Sequence, residues 1–228
     1  MISYVIISSC IFITERPKNG HFNFKDRLLQ TYKTISTIRQ KIKDSYIILA
    51  DTSDISLSII DKKITKMVDK FIDLGGRRDI LTNNKHNQFK SLNEYILMAE
   101  SLEYIKTLPL TSEDIIFKHN GRYILNNEFN IENFLVYDKF IFKKIKVIPS
   151  EFNRFRYGTH LCTLLYSFSF SMVDKYLFFL RSDSLFEKTT VGTEHAHFNY
   201  YKEHPEDFFF IKTLGIEGRS YIDMPMKE

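Results

Sequence analysis

Lys118-His119-Asn120-Gly121-Arg122-Tyr123 follows directly on the apolar run Ile115-Ile116-Phe117. A short buried-strand signal thus runs into a cation, an amide, a glycine and an arginine. In an open α/β sheet, ligands bind beyond the carboxyl ends of the strands, so these side chains could floor a site for an anion. A surface turn would use the same residues differently, with Gly121 making the turn and Arg122 in water. A second concentration of ionisable groups is Val191-Gly192-Thr193-Glu194-His195-Ala196-His197. His195 and His197 could share a strand face and hold a metal, although no third ligand is evident; otherwise they are packed or exposed rings. On a helix, Glu194 and His197 would instead be neighbours, and Glu194 would favour the positive end of the helix dipole.

The elements that must position these groups follow from periodicity. Ser3 to Ser9 is rich in β-branched residues and reads as a first strand, followed by a loop with Pro17 and Gly20. Leu28, Tyr32, Ile35, Ile38 and Ile42 recur at helical spacing from Lys25 to Lys43. Ser45 to Ala50 is a short apolar strand ending in Asp51-Thr52-Ser53-Asp54. This β-α-β order favours parallel strands with a right-handed crossover. Leu57 to Asp73 carries mixed signals, with a short strand at Lys70 to Leu74. Gly75 to Gln88, with Asn83, Asn84 and Asn87, reads as a loop. Ser91-Leu92-Asn93-Glu94 has the form of a capping box and should start a helix running to Ile105. Phe140-Ile141-Phe142 and Val147-Ile148 are strand candidates. Met172 to Arg181 reads as a helix with Ser171 and Asp174 as a capping pair, and Phe208 to Ile222 as a strand with loops.

Composition bounds the rest. The 228 residues suit one α/β unit with a substantial core, at 43% hydrophobic and 26% charged. The 21 Phe and 13 Tyr with no Trp occur alongside abundant Lys, Ile and Asn, a skew that reflects base composition as much as function. A net charge of +4, without long basic blocks, does not indicate nucleic-acid binding, though it would steer a phosphorylated substrate. Cys10 and Cys162 fall in no metal or redox spacing and read as buried thiols of a reducing compartment. The apolar start MISYVIISSCIFI lacks a basic flank and is too short to span a bilayer, so it reads as a buried strand. A cytoplasmic location without a transmembrane segment is the expectation.

Three passages, taken in order, resemble nucleotide-sugar-dependent glycosyltransferases of the GT-A fold, and the resemblance covers most of residues 1 to 150. They are the first strand leading to RLLQTYKTISTIRQKI, then YIILADTSD, then KSLNEYILMAESLEYI followed by EDIIFKHNGRY. The resemblance implies an α/β, mostly parallel central sheet flanked by helices. It also implies a single domain over residues 1–228, in which 1–130 binds the nucleotide-sugar donor and 131–228 a glycan acceptor. Ser8, Ser9, Asp51 and Ser53 would line the base and ribose pocket, and Lys90 and Asn93 would face the diphosphate or sugar. Lys118, Gly121, Arg122 and Tyr123 would hold the donor, while Arg154, Arg156 and His195 would meet acceptor or phosphate. Glu194 would be the general base. The family commonly holds Mn²⁺ or Mg²⁺ on an Asp-x-Asp after the central strand, where this chain has His119-Asn120-Gly121. Lys118 and Arg122 would then neutralise the leaving diphosphate in place of a metal. A nucleotidyltransferase acting on sugar phosphates and a non-catalytic nucleotide- or glycan-binding module are the alternatives. No P-loop, no dinucleotide fingerprint after strand 1 and no nucleophile context for a Ser or Cys hydrolase occurs.

Overall fold

The computed structural model describes residues 2–13, 23–85, 90–147, 158–182, 192–219 and 225–227. In chain order the elements are β1 (Ser3–Ser9), α1 (Phe24–Lys41), β2 (Tyr46–Asp51), the single turns α2 (Leu57–Ile60) and α3 (Lys62–Thr65), β3 (Lys70–Asp73), α4 (Arg78–Lys85) and α5 (Lys90–Ile105). There follow β4 (Ile115–Asn120), β5 (Tyr123–Leu125), β6 (Phe140–Phe142), β7 (Lys144–Val147), β8 (Gly158–Leu161), β9 (Leu165–Ser169), α6 (Val173–Arg181) and α7 (Thr193–Glu203). The last strands are β10 (Phe208–Phe210), β11 (Ile216–Arg219) and β12 (Pro225–Lys227). Among the described residues no helix is long and apolar enough to cross a membrane.

A seven-stranded sheet in the order β10-β6-β9-β4-β1-β2-β3 forms the centre. β3, β2, β1 and β4 are parallel neighbours, β9 is inserted antiparallel between β4 and β6, and β10 runs parallel to β6. This is the mostly parallel, helix-flanked α/β sheet expected. Strand alternation divides the core. Ile6, Ile48 and Ile116 face α5 and α6, whereas Val5, Ile7, Ile47, Leu49 and Phe117 face Ile35 and Ile38 of α1. A sheet apolar on both faces explains why β1 and β2 read as unbroken apolar runs.

The helix starts differ from expectation. A capping box forms at α1, where the Asn23 side chain accepts from the Asp26 amide at 3.0 Å and Asp26 accepts from the Asn23 amide at 3.2 Å. α5 already includes Lys90, so Ser91 is a helical residue and not its cap. Glu94, expected to reach back to that cap, turns inward to Lys118. The Ser171/Asp174 cap is also absent. A 3₁₀ turn over Phe170–Met172 leads into α6, Ser171 donates to Asp138 at 2.5 Å, and Asp174 pairs with Lys106. Residues 78–85, expected as loop, form α4, because Asn83 and Asn84 each bond to the Asn93 amide of α5 instead of to their own backbone.

Candidate functional site

Parallel pairing brings the carboxyl ends of three strands to one edge. Ser9 lies opposite Asp51, and Ser8 opposite Asn120, so residues 8–9, 51–53 and 120–122 are neighbours there. The Asp51 carboxylate is fully buried; it accepts from the Ser53 amide at 2.8 Å and, at close range, from the Ser9 hydroxyl. Burial pushes its pKa up, against the hydrogen bonds that lower it. The Ser53 hydroxyl accepts from the amides of Ile11 and Phe12, each at 2.9 Å. Asp51 and Ser53 therefore tie the loop after β1 to the loop after β2, which corrects the expectation that their side chains meet base or ribose. Gly75 seals the same corner, since a Cβ there would lie 1.6 Å from the Ser53 carbonyl oxygen.

Asn93 is likewise internal. Its amide donates to Asn84 at 2.8 Å and accepts from Asn83 at 2.9 Å, and Asn84 passes the chain on to the Thr52 carbonyl and Asp54. The amide braces α4 and α5 against the loop after β2, and does not face a diphosphate. Lys90 is the first residue of α5. Arg154 and Arg156 lie outside the described residues.

The polar tail of the central strand is also not a surface turn. Lys118 and His119 are both within β4 and fully buried, on opposite faces. The Lys118 ammonium donates to the Thr163 carbonyl at 2.6 Å, pairs with Glu94, and lies 5.8 Å from the Tyr166 ring centroid. Its charge is matched inside the protein, so it is not the diphosphate clamp expected. His119 engages its own neighbour, Nδ1 donating to the Asn120 carbonyl at 2.8 Å, and burial holds its pKa down at about 4. The Asn120 carboxamide oxygen accepts from the backbone amide of Arg122 at 3.2 Å and from its Nε at 3.3 Å, which orients a half-buried guanidinium at the strand end. Gly121 donates to the Ser8 carbonyl at 2.9 Å; a Cβ would press on that oxygen at 3.2 Å and on Ile7 and Ser9 at 3.3 Å. Tyr123 is buried in β5, where its carbonyl accepts from Thr34. With His119 turned inward, Asn120 engaged by Arg122 and no carboxylate in the run, this donor set does not fit a hard divalent cation.

α7 brings the second cluster to the same edge. Gly192 precedes it at φ 88°, a conformation that favours glycine, and Glu194 sits in its first turn, half-buried. The two Glu194 oxygens accept from the hydroxyls of Thr163 and Thr193, each at 3.3 Å. Thr163 therefore touches both Lys118 and Glu194. Thr163 thus links Glu194 to the end of β4, where the Asn120 amide donates to the Leu164 carbonyl at 2.8 Å and the Asn120 side chain holds Arg122.

His195 and His197 do not converge on a metal, because they lie on a helix and not on a strand face. The His195 ring lies 5.5 Å from that of His160, and burial lowers its pKa, followed by His160 and Lys202. His197 points into the core: Nδ1 donates to the Thr193 carbonyl at 2.8 Å, so Nε2 accepts from Tyr176 at 2.8 Å, and Tyr176 accepts from Tyr166 at 2.6 Å. Burial holds its pKa down at about 4. Cys162 is buried and Cys10 partly so; burial pushes their thiols up to about 11 and about 12.

Glu94, Tyr95 and Thr163 are the site-edge residues the sequence reading passed over. A signal was available, since Lys118 sits at the inward-facing register of an apolar strand and a buried lysine requires an anionic partner.

No family model matches the chain, and no curated protein matches it. Among solved structures it is similar to mouse xyloside xylosyltransferase 1 in its apo form, with 12% identity and a TM-score of 0.53 over 92% of this chain and 86% of that one. It also aligns with a crystal structure of 4-diphosphocytidyl-2C-methyl-D-erythritol synthase, with 10% identity and a TM-score of 0.48 over 84% and 86%. The first likeness establishes the fold, a GT-A-like α/β sheet.

Proposed function

We propose that this protein transfers a sugar from a nucleotide-sugar donor to a hydroxyl of a glycan acceptor. The reading rests on an oriented cation, Arg122, just past the end of β4 at the carboxyl edge of a GT-A-like sheet, and on a half-buried carboxylate, Glu194, held by Thr163 beside the same strand. Residues 1–130 supply the donor side and 131–228 the acceptor side. In an inverting displacement the acceptor oxygen attacks the anomeric carbon, its proton passes to Glu194, and the bond from that carbon to the diphosphate breaks. Arg122 offsets the charge that develops on the leaving group. Glu194 is suited to the proton because it is only half-buried and its contacts within the protein are long ones from two hydroxyls.

The test is a panel of nucleotide-sugars assayed for thermal stabilisation and for nucleoside-diphosphate release, with Mn²⁺ and with chelator. Release from one donor, persisting in chelator and lost in Arg122→Ala, supports the reading. Formation of a nucleotide-sugar from a sugar phosphate would replace it with nucleotidyl transfer. Tight binding with no turnover on any acceptor would make the protein a binding module.

A further inference from the structure

The two sides of the central sheet treat positive charge differently. On the side of α5 and α6, Arg77 pairs with Asp79 and Glu100, Lys106 with Asp174, and Arg181 with Glu103. On the side of α1, α2 and α3, Lys25, Lys33, Lys62, Lys63 and Lys66 are exposed, and none of them pairs with a carboxylate among the described residues. The carboxylates there are already engaged. Asp26 accepts from the Asn23 amide, Asp61 from the Tyr32 phenol and the Lys63 amide, and Asp69 pairs with Arg39.

The same surface exposes branched apolar side chains. Leu29, 54% exposed, stands between Lys25 and Lys33 at four-residue spacing, so the three share the outward stripe of α1. Ile59, 75% exposed, lies on α2, with Ile55 exposed just before it. The two elements adjoin: Tyr32, one turn on from Leu29, donates to the Asp61 carboxylate at 2.9 Å, and the Lys63 ammonium lies 5.9 Å from the Tyr32 ring centroid. Beneath them, Ile35, Leu57 and Ile64 are buried in one core. A lone exposed leucine or isoleucine is ordinary. Here they stand among unpaired ammonium groups, and an anionic bilayer satisfies both kinds, with phosphates for the lysines and the acyl boundary for the apolar side chains. A nucleic-acid backbone would use the lysines and leave Leu29 and Ile59 in water.

We propose that the outer face of α1, α2 and α3 docks on an anionic lipid surface, with Leu29 and Ile59 entering the headgroup region and the surrounding lysines meeting lipid phosphates. The contact is superficial, since side chains reach into the interface while the helices stay outside it. It stands apart from the glycosyl-transfer reading and holds whichever reaction the sheet edge performs.

Co-sedimentation of the full chain with vesicles of phosphatidylcholine alone, and of phosphatidylcholine carrying about 30% phosphatidylglycerol, tests it. Partition onto the anionic vesicles should be stronger by about ten-fold or more and should weaken with added salt. The double variant Lys62→Glu/Lys63→Glu should lose about ten-fold or more of that binding, and Ile59→Ser about five-fold, with melting temperatures unchanged because these side chains are exposed. Should the first lysine pair lower the melting temperature, Lys25→Glu/Lys33→Glu on α1 decides the matter by the same loss. Equal partition onto the two kinds of vesicle, or none onto either, would overturn the proposal. So would undiminished binding in both lysine pairs or in Ile59→Ser. Binding of polyuridylate RNA that is tighter than binding to the anionic vesicles, lost with the lysines and indifferent to Ile59→Ser, would reassign the face to nucleic acid and overturn it as a lipid surface.

Discussion

Two polar regions meet at the carboxyl edge of the sheet, and they differ in how completely their groups are satisfied. At the ends of β1 and β2, the Asp51 carboxylate and the Ser53 hydroxyl each accept two hydrogen bonds from within the protein, and Asn83, Asn84 and Asn93 close a chain of amides behind them. Across the edge, between α5 and α7, the Tyr95 hydroxyl has no partner and Glu194 holds two long contacts among the described residues. In the first region the polarity of Asp51, Ser53 and the asparagines is used up in joining loops, and the buried Nε2 of His119 beside them is left over. The second keeps hydrogen-bonding capacity on Tyr95 and Glu194 that the described residues do not fill.

Substitutions can break that contrast. The largest effect is expected from Glu194→Gln, which should lower turnover at saturating donor by about 10²–10⁴-fold with the melting temperature unchanged. Unchanged turnover would move Glu194 out of the base role. Acid comes next, because each region holds one buried neutral imidazole, His119 beside the strand ends and His197 against the Tyr95 ring. Both have folded pKa values depressed to about 4 from 6.5. The unfolded chain protonates first, so stability present above pH 6.5 falls as pH drops toward 4, on the order of 3 kcal/mol for each ring. Urea midpoints measured from pH 7.5 to 4.5 should decline over that window, and a flat profile would contradict the neutral assignment.

Lys118→Met should cost about 2–3 kcal/mol in urea unfolding, below the value for a fully buried pair because the Glu94 side chain is 27% exposed. Adding Glu94→Gln should recover part of the loss. The smallest effect belongs to the satisfied region. Asp51→Ala leaves the Ser9 hydroxyl and the Ser53 amide unpaired and should cost about 1–2 kcal/mol, with Asp51→Asn close to neutral. If Asp51→Asn instead abolished donor binding in a stable protein, the architectural role of this residue would be wrong.

The sheet was legible where burial is two-sided. β1 was placed at its observed limits, α1 and β2 came within two residues at each end, and the parallel crossover followed from their order. What failed was the reading of polar residues. Lys118 and His119 looked like a solvent-facing turn because their partners are far along the chain: Glu94 on α5 and Thr163 before β9. Asn83 and Asn84 looked like loop residues because local propensity favours turns, whereas tertiary amide bonds made them helical. Glu94 matched a capping box by spacing alone, and an ion pair across the core outweighed it. Arg122 just past a strand and Glu194 in the first turn of a helix are legible as positions, because signals for the ends of elements are local in sequence.

The antiparallel insertion of β9 between β4 and β6 also constrains the order in which the chain can mature. During synthesis β4 can pair with β1 as soon as it emerges, but its other edge stays open for some fifty residues until Leu165–Ser169 is made. Over that interval the Lys118 ammonium lacks the Thr163 carbonyl, and an apolar strand edge is open to solvent or a chaperone. A nascent chain stalled between Asn120 and Leu165 should therefore be protease-sensitive and sticky, and the candidate site can first exist only after the helix that carries Glu194 has also been made.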